Sequence, residues 1–106
     1  MSQTLQRIIV LASRQEIKIS DHGYDELAND GIFVRDIVAS LPDAQLLEDY
    51  PDYHKGACVL VLQKDRNKKS VHAVWGIPKG ETTPAVLITA YRPDPSKWSN
   101  DFRRRK

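Results

Sequence analysis

The hydrophobic pattern changes period partway along the chain. Over roughly the first forty positions apolar residues recur at helical spacing; after Pro42 they alternate or run together as strands do. Thr4 to Arg14 places Leu5, Ile8, Ile9 and Ala12 on one stripe, with Gln6, Arg7, Ser13 and Arg14 mostly away from it, which predicts a helix. Ile17 to Ser20 reads as a short extended link. Ser20 or Asp21 then caps a second helix reaching about Asn29, with Tyr24, Leu27 and Ala28 on its buried side and Gly31 as its stop. A third, short helix spans Val34 to Ser40, with Ile37, Val38 and Leu41 as its apolar face, and Pro42 ends it.

Beyond Pro42 the elements are strands. Ala44 to Tyr50 alternates loosely, Pro51 to Gly56 is a turn, and Ala57 to Lys64 has almost no polar interruption. Asp65 to Lys69 is a polar hairpin loop before a strand over Ser70 to Ile77, and Pro78 to Gly80 opens a longer turn. Ala85 to Arg92 is the strongest strand: it carries β-branched Val86, Ile88 and Thr89, is apolar on both faces, and has proline at both ends. Pro93 to Phe102 reads as a short helix carrying Trp98 and Phe102. Helices first, then consecutive strands with short connections, predict an α+β domain: two to three N-terminal helices on one face of a four-stranded antiparallel sheet. The other face is closed by something else or used, and Trp98 and Phe102 supply part of a lid.

Composition narrows the class. With 106 residues there is room for one domain and one core, over 1–106, with 103–106 as a basic, frayed tail. No apolar run approaches the ~20 residues a membrane helix needs, and Leu5 to Ala12 is interrupted by Gln6 and Arg7, unlike a signal peptide. The single cysteine, Cys58, lies in an apolar run and reads as a small buried hydrophobe; no disulfide within the chain can form, which fits a cytoplasmic location. The net charge is only +2 but uneven. Six acids and one base lie between Asp30 and Asp52, whereas four bases and one acid lie between Lys64 and Lys69, and the chain ends Arg103-Arg-Arg-Lys106. A basic loop and a basic end could meet a phosphate backbone; a solvated, solubilising tail is the plainer alternative.

Several polar groups could carry chemistry. His22 and Glu26 are four apart, so they share a helix face opposite Tyr24, Leu27 and Ala28. A carboxylate beside an imidazole favours the imidazolium, which suits proton transfer; alternatively His22 bonds a loop carbonyl and Glu26 is solvated. His72 shares a strand face with Val74 and Gly76, opposite Trp75. If Trp75 faces the helices, His72 lies on the other side with Tyr91 or with Arg92, depending on register. Tyr91 and Arg92 point to opposite faces at the end of their strand. Tyr53, His54 and Lys55 form a polar turn suited to phosphate or base contact, or simply to solvent. Only His22 and Glu26 have ligand-like spacing, so neither a metal site nor a cofactor is expected.

Five segments taken together carry a resemblance: Ile19-Ser-Asp-His22, Gly31-Ile-Phe-Val-Arg-Asp-Ile37, Asp49-Tyr-Pro-Asp-Tyr53, Val71-His-Ala-Val-Trp75 and Ile88-Thr-Ala-Tyr-Arg-Pro-Asp-Pro95. Their order resembles the small bacterial family called domain of unknown function 4258, over about residues 17 to 98. That family resembles the ribonuclease-like fold of barnase and the RelE toxins, with substrate on the open sheet face. The resemblance implies metal-independent RNA cleavage by one half of a toxin–antitoxin pair, with a small DNA-binding antitoxin as partner. It assigns proton transfer to His22 or His72, orientation of His22 to Glu26, the phosphate to Arg92 or Lys55, and hydrogen bonding or stacking to Tyr91. Arg103 and Arg104 would add contacts to nucleic acid. The strands supply few cations for such an enzyme, only Arg92 and Lys64. The competing expectation is a non-catalytic module that binds protein or nucleic acid.

Overall fold

A computed structural model describes residues 2–106. Helix α1 spans Gln3–Ser13, and the Ser2 hydroxyl accepts the Leu5 N–H at 3.0 Å to cap it. Strand β1, Ile17–Ile19, leads straight into α2, Asp21–Asp30. Ser20 caps α2 by accepting the Gly23 N–H at 2.9 Å, and its hydroxyl donates to the Ile88 carbonyl at 2.7 Å. One side chain thus starts the helix and fastens it to the sheet. Gly23 is required by that closeness, since a Cβ there would stand 2.9 Å from the Leu87 carbonyl oxygen. Helix α3 covers Val34–Ser40 and runs into a 3₁₀ turn at Leu41–Asp43.

Strands β2 (Gln45–Tyr50), β3 (Cys58–Lys64), β4 (Ser70–Gly76) and β5 (Ala85–Tyr91) are the four expected, and consecutive members pair antiparallel. The sheet nevertheless has five strands, ordered β1-β5-β4-β3-β2, because β1 lies parallel to β5 with Ile17 opposite Ala85 and Ile19 opposite Leu87. The expectation of four antiparallel strands is therefore corrected to a mixed five-stranded sheet. A three-residue strand gives little periodicity, and its partner lies almost seventy positions away, so local pattern could not reveal the pairing.

The helices cover one face. Ile8, Leu11, Leu27 and Ile37 pack on Val59, Val61, Val71, Ala73, Trp75 and Leu87, all buried. The one polar side chain from β3 on this face, Gln63, is fully used. Its amide donates to the Ile37 carbonyl at 2.6 Å and to the Ser40 hydroxyl at 2.9 Å, and its oxygen accepts the Trp75 indole N–H at 2.8 Å.

The opposite face carries Glu48 and Tyr50 from β2, Leu60 and Leu62 from β3, His72 and Val74 from β4, and Tyr91 from β5, as the pairing dictates. The stretch after β5 crosses part of this face as an irregular strap, and no helix forms in it. The expectation of a helix over 93–102 is thus corrected: Pro93 and Pro95 interrupt the backbone, and Phe102 sits at φ 60°. The end of the chain, expected to fray from 103, is paired here. Trp98 and Arg105 form an antiparallel bridge, and the Lys106 N–H donates to the Lys97 carbonyl at 2.9 Å. Trp98 is buried and serves as the expected lid.

Candidate functional site on the helix-free face of the sheet

A cleft of about 350 Å³ opens on this face between β2, the end of β5 and the strap, lined by Glu48, Tyr50, Tyr53, Leu60, Tyr91 and Arg105 among others. Strand alternation brings Glu48 and Tyr50 to the same side. The Glu48 carboxylate accepts Arg105 Nε at 3.0 Å and Nη2 at 3.3 Å, and the Tyr50 hydroxyl at 2.9 Å. This forked, charge-assisted bond to Arg105 holds the Glu48 carboxyl below its usual range against the opposing effect of partial burial. The same contacts raise the Tyr50 phenol and the Arg105 guanidinium. Arg105 also lies over the Trp98 ring, 4.7 Å from its centroid. Burial raises the Tyr91 phenol.

His72 stands opposite Tyr91 in the sheet, which decides the register question in favour of Tyr91. It is wholly buried under the strap, with its ring edge-on to Trp98 at 4.3 Å and to Tyr91 at 5.5 Å. Its Nε2 is 2.7 Å from the Phe102 carbonyl oxygen, so Nε2 carries the hydrogen and donates it. Nδ1 is buried with no partner. Burial lowers the His72 pKa, and the Phe102 carbonyl opposes that only in part. A sealed, neutral imidazole cannot meet a substrate directly; what it does is pin the strap that carries Arg105.

The remaining candidates do not join this cleft. His22 is exposed on the first turn of α2, its Nε2 3.8 Å from Glu26 Oε1, a loose pair of the solvated kind. Arg92 is bound away: its Nη2 lies 2.8 Å from Asp65 Oδ2, and its backbone N–H donates to Asp30 at 2.8 Å. Lys55 lines a neighbouring cleft. Arg103 and Arg104 are exposed, with backbone N–H groups bonded to Asp101 and Ser99. Glu48, Tyr50 and Arg105 were not singled out from the sequence. Alternation along β2 would have paired Glu48 with Tyr50, but Arg105 reaches the cleft only because the strap folds back. Among the described residues no group of three His, Cys, Asp or Glu side chains is placed to hold a metal ion, and no helix is long and apolar enough to cross a membrane.

One family model, described as "Domain of unknown function (DUF4258)", matches residues 19–92. The match runs from the last residue of β1 through α2, α3 and β2 to β5, including Glu48, His72 and Tyr91, and stops before the strap. No curated protein and no solved structure matches the chain.

Proposed function

The chain belongs to the DUF4258 family, whose description carries no activity, and from its cleft we propose a metal-independent endoribonuclease of the RelE/barnase-like kind. The observation that carries this reading is the meeting of a carboxylate, a guanidinium and two phenols on a sheet face the helices leave uncovered. RNA lies across that face. Glu48, ionised at neutral pH, takes the proton of a 2′-hydroxyl. The 2′-oxygen bonds to phosphorus and the bond from phosphorus to the 5′-oxygen breaks. Arg105 turns from Glu48 to the phosphate and stabilises the phosphorane. Losing that partner raises the carboxylate's basicity when it is needed, so substrate itself activates the base. Tyr91 gives its phenolic proton to the leaving 5′-oxygen, and the cycle closes when Glu48 releases the proton it took to water and water returns one to Tyr91. His72 is a positioning residue that acts through the strap. Resemblance to RelE-type toxins extends the proposal to growth arrest in the cytoplasm, relieved by a small DNA-binding antitoxin.

The test uses purified protein and a single-stranded RNA oligonucleotide in excess EDTA. Cleavage to 2′,3′-cyclic phosphate ends is expected, with Glu48→Gln slowed about 10²- to 10⁴-fold while its circular dichroism is unchanged. No cleavage by the wild-type protein, or an unchanged rate in Glu48→Gln, overturns the assignment. One observation favours a second reading as a non-catalytic binding module: Glu48 and Arg105 satisfy each other, and the one imidazole on this face is covered.

A further inference from the structure

The cleft at Glu48 is not isolated. Tyr53 lines it and also two further clefts, and Ile88 lines two of the three. The second cleft, of about 360 Å³, passes Lys55, Gly76, Pro78 and Val86. The third, of about 340 Å³, turns round the end of the sheet past His54, Lys79 and Arg7, with Asp52 and Glu81 in its lining. Together they make one track. Along β4 it runs from the level of His72 to that of Gly76, about 13 Å at strand rise, before reaching the loops.

Of the cations lining the track, Arg105 is bound to Glu48, whereas Arg7, Lys55 and Lys79 enter no ion pair among the described residues. Exposed Tyr53 stands with its ring 4.5 Å from that of His54, giving an aromatic surface between the two ends. The walls are also fixed in advance. The Ala57 carbonyl accepts the Ile77 N–H at 3.0 Å, and the Lys55 carbonyl accepts the Lys79 N–H at 3.1 Å, so the two loops are clamped together. Gly56, at φ 126°, lies so close that a Cβ would meet the Ile77 carbonyl oxygen at 2.1 Å. A rigid track with unpaired cations and an aromatic step fits a flexible polyanion with stackable faces.

We propose that this track binds the single-stranded RNA flanking the cleaved bond, so that the protein takes an oligonucleotide rather than a dinucleotide. Lys55, Lys79 and Arg7 meet phosphates, and Tyr53 with His54 stacks a base. Asp52 and Glu81 cannot meet phosphate and suit exocyclic amino groups of unpaired bases. The proposal rests on the ribonuclease reading for the direction of the strand, but its binding term is measured separately.

Fluorescence anisotropy on the full chain carrying Glu48→Gln, with labelled decaribonucleotide and diribonucleotide of mixed sequence, tests it. The decanucleotide should bind more tightly. Lys55→Ala and Lys79→Ala should each lower the slope of log affinity against log salt by about 0.7, and Tyr53→Ala should weaken decanucleotide binding roughly five- to 150-fold, the value of one stacked base. Equal affinity for both lengths, or a length advantage that survives all three substitutions, overturns the track. So does an acidic peptide of matched charge that binds as well as the decanucleotide, which would make this a protein-binding surface. Length-dependent binding without cleavage by the wild-type chain sinks only the nuclease reading; cleavage without length dependence sinks only the track.

Discussion

The two faces of the sheet are built by opposite rules. On the helix-covered face every polar side chain of β3 and β4 has a partner, with Gln63 using both ends of its amide and Trp75 its indole N–H. The one buried nitrogen left over, Arg92 Nη1 just past β5, belongs to a guanidinium already paired with Asp65. On the other face an imidazole nitrogen is buried without a partner, and two ionised groups meet at a cleft edge with Arg105 well exposed. Tyr50, Tyr53 and Ile88 are exposed there as well. The first face spends its residues on packing. The second keeps polar capacity unspent, which costs stability and gives a ligand something to bind.

That contrast can be broken. Trp75→Ala should cost about 3–5 kcal/mol of unfolding free energy by urea titration, because nothing can collapse into the space beneath three helices. Trp98→Ala, on the other face, should cost clearly less, since the strap can settle and water can enter. Equal losses would mean that the strap side is a second core rather than a cover.

A smaller effect sharpens the first face. Gln63→Ala leaves the Trp75 N–H and the Ile37 carbonyl without their partner, and about 1–3 kcal/mol should be lost, read by the same titration. A loss near zero would mean that water replaces the amide and that this face is less sealed than its burial implies.

The smallest effect belongs to His72. Its folded pKa lies below the ordinary 6.5 because burial disfavours the cation. Between those two values the unfolded chain binds more protons than the folded one, so stability rises with pH. The contribution is complete above about pH 6.5 and is lost as pH falls from there towards the folded value. Glu48, Arg105 and Tyr91 are the titratable groups beside it, and none has its ordinary pKa moved into that window. Thermal melts across pH 5 to 7 should show the decline in the wild-type chain and not in His72→Leu; a decline in both would place its origin elsewhere.

Much of the covered face was legible. The 3.6-residue stripe of α1, a cap at Ser20 or Asp21 (the structure makes it Ser20), the stop at Gly31 and the parity that puts Trp75 and His72 on opposite faces all follow from local spacing. The strand that seemed simplest, β5, hid a bulge: between Val74 and Trp75 the partner register shifts from Thr89 to Leu87, leaving Ile88 as the extra residue. Such a shift decides which of Tyr91 and Arg92 joins His72, and no alternation within β5 announces it. His22 with Glu26 looked like a proton-transfer pair because i,i+4 spacing is visible in a sequence, whereas the distance from that helix face to a cleft is not.

The chain's own order of residues determined the three main helices and the four longer strands, and which side chains alternate along each strand. Those properties depend on neighbours within a few positions, where steric and hydrophobic preferences act directly. On α2 it misplaced the buried side, for Leu27 is buried but Tyr24 and Ala28 are exposed. Folding in three dimensions decided the rest: β1 beside β5, Tyr91 beside His72, and Arg105 carried back from the end of the chain to Glu48. Such contacts join residues tens of positions apart, and their energies come from the packing of whole layers, so no short stretch contains them.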